Sequence, residues 1–254
     1  MTLTVAGAPV LALFLASVRV VAWLALVPPF STRDVPAMAK VVIAIGLSFT
    51  VAPGLAGERL PRTTPEVLMA VVGQAVVGLG LGFVTMLLIS ALAAAGSLID
   101  LFGGFSLAAA WDPLALNSNS VFGRFHQMVA IVLLLASGGH LIMIGGLLST
   151  FDYLPLTGLP PLGNWSDVLT TAFSMFFTIA VQIALPMVAV LFIADLTLAL
   201  MTKVAPQLQA LTVMFPAKIG LTLLVVGLSF PVLPGATERL VALANEAMAA
   251  MAGA

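Results

Sequence analysis

Between Glu66 and Asp100 the chain carries no charged side chain. A single helix over that run would be roughly 50 Å long at about 1.5 Å per residue, against a bilayer hydrocarbon core of about 30 Å. A surface helix of a soluble domain keeps a polar face, and this run has none. The segment must therefore tilt hard, break, or continue beyond the bilayer inside a protein-lined environment. Gly73, Gly78, Gly80 and Gly82 offer places to bend. Gly78 and Gly82 also form a small-xxx-small pair, which lets a second helix approach closely.

The rest of the chain obeys the same rule. Of its 254 residues 61% are hydrophobic and 7% charged, and mean hydropathy is +1.21. Soluble domains carry about a quarter charged residues, so this composition has too little polar surface to cover its apolar mass in water. The expected class is an all-α, polytopic integral membrane protein. Helices are the choice because they satisfy their backbone groups internally, and no apolar segment alternates with period two. Apolar segments are expected at about 9–27, 37–51, 67–99, 125–148, 168–194 and 219–233, with a short alanine-rich helix at about 236–252. The N-terminus lacks the basic stretch of a signal peptide, so the first segment is expected to stay as an anchor.

Nine basic and ten acidic residues give a net charge of −1, which offers nucleic acid no electrostatic footing. Cysteine is absent. On a simple six-span path one side of the membrane holds Arg33, Lys40, Arg124 and Lys203 and the other holds Arg59, Arg62 and Arg239. That bias barely selects an orientation, so the path is expected to depart from a regular serpentine.

Five ionisable groups fall in or beside apolar segments: Arg19, Asp100, His140, Asp195 and Lys218. Each costs about 2.5 kcal/mol or more at a bilayer centre and is expected to face protein or water. Three readings are open for them: structural pairs between helices or subunits, interfacial positions, or a proton or ion pathway. Trp23, one turn beyond Arg19, is placed to shield it through a cation–π contact.

Catalytic signals are weak. His126 and His140 lack metal-ligand spacing, and Ser137 with His140 has no orienting acid or oxyanion donors. The glycines of "GLGLGF" are spaced wrongly for a dinucleotide loop and follow no strand. The reading is a non-enzymatic protein without a cofactor or a metal.

One stretch fits neither a span nor an ordinary loop: "FGGFSLAAAWDPLALNSNSVFGR", residues 102–124. Together with "VRVVAWLALVPPFSTRDVPAMAKVVIAIGLSFTVAP", "GGHLIMIGGLLSTFDYLP" and "ADLTLALMTKVAPQLQALTVMFPAKIG", in that order, it resembles the FliR family of the flagellar type III export apparatus. The resemblance covers nearly the whole chain, 1–254, read as a single membrane-embedded domain. It implies a fold similar to fused FliP-like and FliQ-like parts, in a helical export gate in the bacterial inner membrane at the flagellar basal body. The partners it implies are FliP-like and FliQ-like subunits, other export-apparatus proteins, translocated flagellar proteins and membrane lipid. An injectisome counterpart is a near alternative. A proton-coupled small-molecule transporter is a more distant one, for which no internal repeat is found; a membrane-embedded lipid enzyme is more distant still.

In that family the stretch after the third long helix plugs the pore. Carried over, the plug falls on Gly103, Gly104, Phe105, Ser106, Leu107, Ala108, Ala109, Asp112 and Pro113. The glycines suit a tight turn, and Phe105 with Leu107 an apolar constriction; Asp112 before Pro113 is held extended.

Overall fold

The computed structural model describes residues 7–32, 35–55, 57, 60–105, 120–157, 162–204 and 210–253. These form nine α-helices and two short 3₁₀ turns, and no strand occurs among the described residues. The helices are α1 (Gly7–Leu26), α2 (Ala37–Leu55), α3 (Thr64–Ile89), α4 (Ala91–Gly103), α5 (Val121–Ala136), α6 (Gly139–Ser149), α7 (Leu162–Val204), α8 (Ala210–Ser229) and α9 (Leu233–Ala252). Five helical stretches are long and apolar enough to cross a membrane, or six if the bent pair α5–α6 counts as one span. The chain is thus an all-α, polytopic membrane protein.

Several expected segments change shape. The run after Glu66 forms a 40-residue helical stretch, Thr64–Gly103, interrupted at Ser90. Its start is fixed by the Glu66 carboxylate, which accepts the backbone N–H groups of Arg62 (2.8 Å) and Thr63 (3.4 Å), otherwise orphaned at a helix N-terminus. The segment expected at 125–148 is broken. Gly138 adopts φ +73°, and the axis turns by 75° between α5 and α6. The left-handed conformation suits glycine because any Cβ there is strained. Helix α7 runs much further than 168–194, to 43 residues, about 64 Å of helix. The terminal helix starts at Leu233 rather than near residue 236.

The chain divides into two compact units. The first holds α1–α3, α6 with the following 3₁₀ turn, the beginning of α7 and α9 from Leu240 onward. Here α1 packs on both α2 and α3. A methyl group at Gly78 would overlap the carbonyl of Arg19 and the side chain of Ala22. One at Gly82 would crowd Trp23 and Leu26. The small-xxx-small pair is therefore the α1–α3 contact face. On the other side of α3, Gly80 receives the Trp165 ring, whose Nε1–H donates to the Met251 carbonyl at 2.9 Å. Gly139 and Gly146 of α6 similarly lie against Val241 and Asn245 of α9.

The second unit holds α4, most of α5, α7 from Ser174, α8 and the start of α9. Its core joins Ala95 and Ile99 of α4, Phe122 of α5, Ala184, Met187 and Leu191 of α7, and Val226 of α8. Small residues again set the spacing: Gly96 lies against the Phe122 backbone and Gly123 against Ser97.

Candidate functional site

The stretch 102–124 begins and ends in the second unit, and its two ends are brought together. Gly103 is the last residue of α4, and its Cα packs against Thr222 of α8. Gly104 takes φ +83° and terminates the helix, so the turn belongs to Gly104 while Gly103 provides close packing. A Cβ at Gly104 would touch the Lys218 side chain. Phe105 packs at the edge of the core and meets Phe122 edge-to-face, with ring centroids 5.0 Å apart. Asp100, buried one turn before the glycines, accepts the Phe122 N–H through Oδ1 at 3.3 Å. Ser120 Oγ accepts the Gly123 N–H at 2.8 Å. Ser106, Leu107, Ala108, Ala109, Asp112 and Pro113 lie outside the described residues.

Next to this base stands an ion pair. Lys218 Nζ of α8 lies 2.7 Å from Oδ1 and 2.8 Å from Oδ2 of Asp195 on α7. Behind the base is His126, fully buried, whose Nδ1 donates to the Phe122 carbonyl at 2.8 Å. Its Nε2 has no hydrogen-bond partner among the described residues. Sequence reading singled out His126 only for its spacing to His140. Its place beside the stretch follows from the return of the chain at Ser120, which no local pattern announces.

Arg19 and His140 belong to the first unit. Arg19 is fully buried and its guanidinium is satisfied by groups distant in sequence. Nε donates to Gln74 Oε1 at 2.7 Å, Nη1 to Thr150 Oγ1 at 3.2 Å and Nη2 to the Leu154 carbonyl at 2.9 Å. Gln74 in turn donates to the carbonyls of Pro155 and Leu156, at 3.2 and 3.1 Å. The ring over the guanidinium is Phe151, 4.0 Å from Cζ, where sequence spacing pointed to Trp23; Trp23 instead meets Phe30, centroids 6.2 Å apart. A planar, five-donor cation suits this set, since no other side chain engages three acceptors and a ring face together.

His140 repairs the break at Gly138. The Gly138 N–H bonds to the Leu135 carbonyl, leaving that of Leu134 without its helical donor, and His140 Nδ1 lies 3.3 Å from it. Because a carbonyl only accepts, Nδ1 carries the proton. Ser137 accepts the Gly139 N–H at 3.3 Å, so the Ser-His pair serves the bend. Asp195 and Lys218 are thus brought together, Asp100 is drawn to Phe122, and Arg19 and His140 serve a different unit. No group of three metal-ligating side chains occurs among the described residues.

Comparison with known proteins places the chain in a family. The sequence matches "Bacterial export proteins, family 1" over residues 10–244. It is 32% identical to the flagellar biosynthetic protein FliR of Escherichia coli (strain K12) across 87% of this chain and 85% of that protein. It is 28% identical to FliR of Bacillus subtilis (strain 168) across 83% of each. To the Yop proteins translocation protein T of Yersinia pestis it is 26% identical across 69% of each. The chain belongs to family 1 of the bacterial export proteins.

Proposed function

We propose that this chain is a membrane subunit of the flagellar type III protein export apparatus and that residues 102–124 form a plug in its channel. The observation that carries the plug is the closed base. A stretch that leaves α4 at Gly104 and returns at Ser120 is tied across its neck by Asp100, Phe105 and Phe122. In this reading the stretch sits where protein or water lines it, since backbone outside helices is tolerated at membrane depth only there. Within it Gly104 supplies the turn, Phe105 and Leu107 the seal, and Asp112-Pro113 the exit.

The flagellar branch is favoured over the injectisome by the 32% identity over 87% of the chain to Escherichia coli FliR, against 26% over 69% to the Yersinia protein. The partners are FliP-like and FliQ-like subunits, and the cargo is unfolded flagellar protein. The location is the bacterial inner membrane at the flagellar basal body, and the role is wall and gate rather than enzyme. A transporter site built on Asp100, Asp195, His140 and Lys218 has less support, because Asp195 and Lys218 neutralise each other, Asp100 caps α5 and His140 serves the bend at Gly138 in the other unit.

Deleting the gene tests the first part: secretion of hook and filament proteins stops while general membrane transport continues, and a motile deletion strain sinks the assignment. Shortening residues 105–110 tests the second: resting membranes leak small ions while export continues, and unchanged conductance removes the plug role.

A further inference from the structure

The second unit carries a groove of about 740 Å³ that neither the plug nor the ion pair uses. It runs between α7 and α8 and reaches the first turns of α9, with buried Met187 on its floor. The Asp195–Lys218 pair sets an antiparallel register for α7 and α8, so the lining residues sort along its length. Val190, Leu221 and Leu224 stand at the end nearer the pair and are all apolar. Gln182 and Arg239 stand at the far end. Pro186, also in the wall, has no N–H to give the Gln182 carbonyl, which adds an acceptor there.

Among the described residues Arg239 is the one charged residue lining the groove, and it is exposed. No hydrogen bond or ion pair to it, or to the Gln182 side chain, occurs among the described residues. Glu238 does not line the groove, and adjacent residues on a helix do not face each other. Along α7 the lining runs from Ile179 to Val190, about 16 Å of helix, close to one leaflet, half of a hydrocarbon core of about 30 Å, and along the other wall it continues from α8 into α9 as far as Arg239. An apolar channel one leaflet long with a free guanidinium at one end has the polarity of an anionic amphiphile. Its volume also falls within the ~300–1,000 Å³ usual for small-ligand sites.

We infer that the groove holds one anionic phospholipid, its phosphate on Arg239 and Gln182 and one acyl chain lying past Met187 toward Val190 and Leu224. Arginine suits the headgroup because its fork matches phosphate oxygens. The inference rests only on membrane embedding, so its failure would leave the export role standing.

The test uses the full chain, extracted in mild detergent, washed, and analysed by native mass spectrometry. It is then re-loaded from vesicles of phosphatidylglycerol or phosphatidylcholine. One phosphatidylglycerol per chain is expected to survive washing, with phosphatidylcholine lost. Arg239→Gln lowers retention at least tenfold and Arg239→Lys restores part of it. Leu224→Trp, which fills the groove, also lowers it, and a photo-crosslinker at Leu228 in intact cells captures lipid. Equal retention of both lipids, retention unchanged in Arg239→Gln, or capture of a protein helix at Leu228 each overturns the proposal.

Discussion

Asp100 reaches across the neck of the 102–124 stretch to accept the backbone N–H of Phe122 at 3.3 Å. Phe122 lies in the first turn of α5, where N–H groups have no intrahelical acceptor, so Asp100 caps a helix that starts more than twenty positions later. Its carboxylate also faces the positive end of the helix dipole. Asp100→Ala leaves that buried donor unpaired, an expected loss of about 1–3 kcal/mol. Asp100→Asn keeps an acceptor and loses only the charge, about 0.3–1 kcal/mol. Thermal unfolding in detergent and ion leak in resting cells should rank the variants in that order. Identical behaviour of the two would remove the capping role.

Gly104 gives a second test of the same neck. At φ +83° an L side chain is disfavoured by about 1–2 kcal/mol. Gly104→Val should loosen the base and raise resting conductance, whereas Gly104→Asn, a residue that tolerates the left-handed region, stays near wild type. Gly103→Val fails for another reason, since Thr222 Cγ2 and Oγ1 would lie 3.0 and 3.1 Å from its Cβ. Its defect should be relieved by Thr222→Ala, which leaves Gly104→Val unchanged.

For Arg19 the expectation is a folding defect. Arg19→Ala deletes a fully buried cation and strands Gln74 Oε1. Each hydrogen bond to a charged group is worth about 1.5–3 kcal/mol, so the first unit should fall below its stability threshold. Arg19→Lys keeps the charge without the fork and recovers little. Protein level in membranes and protease resistance read the outcome; a stable, abundant Arg19→Ala chain would contradict it.

The Asp195–Lys218 pair is partly exposed, with side-chain accessibilities of 37% and 17%, so its coupling should be modest, about 1 kcal/mol or less. Single alanine variants should reduce export slightly, and the exchanged pair Asp195→Lys with Lys218→Asp should recover most of the loss. A double-mutant cycle in secretion assays measures the coupling. Additive defects would mean that the two residues act separately.

Composition and apolar run length identified the membrane class, and the spans at α1 and α2 fell close to their observed limits, because these helices end where polar and proline-rich sequence begins. The break at Gly138 was not legible: "ASGGH" reads as continuous apolar helix until a glycine adopts positive φ and a histidine caps the freed carbonyl. The length of α7 was missed for the opposite reason, since the polar residues flanking the expected span, Asn164, Ser166 and Asp167 before it and Asp195 after it, suggest stops, yet the helix continues through them. Arg19 was recognised as needing partners, but Gln74, Thr150 and Leu154 are 55, 131 and 135 positions away, beyond any spacing rule. The stretch 102–124 stood out by composition, whereas the clasp at its neck depends on a chain return that local sequence does not encode.

The distant partners of Arg19 also impose a schedule on biogenesis. The first helix leaves the ribosome with a cation in its interior, yet Thr150 and Leu154 are made 131 and 135 residues later. At about 5–20 residues per second, the charge waits roughly 7–27 seconds for its last acceptors. During that interval the helix must shelter in the insertion machinery, lean its guanidinium toward the interface, or be recognised as incomplete. Nascent chains truncated before Thr150 should accordingly be degraded faster than chains ending just past Leu156, at equal length of membrane-inserted sequence.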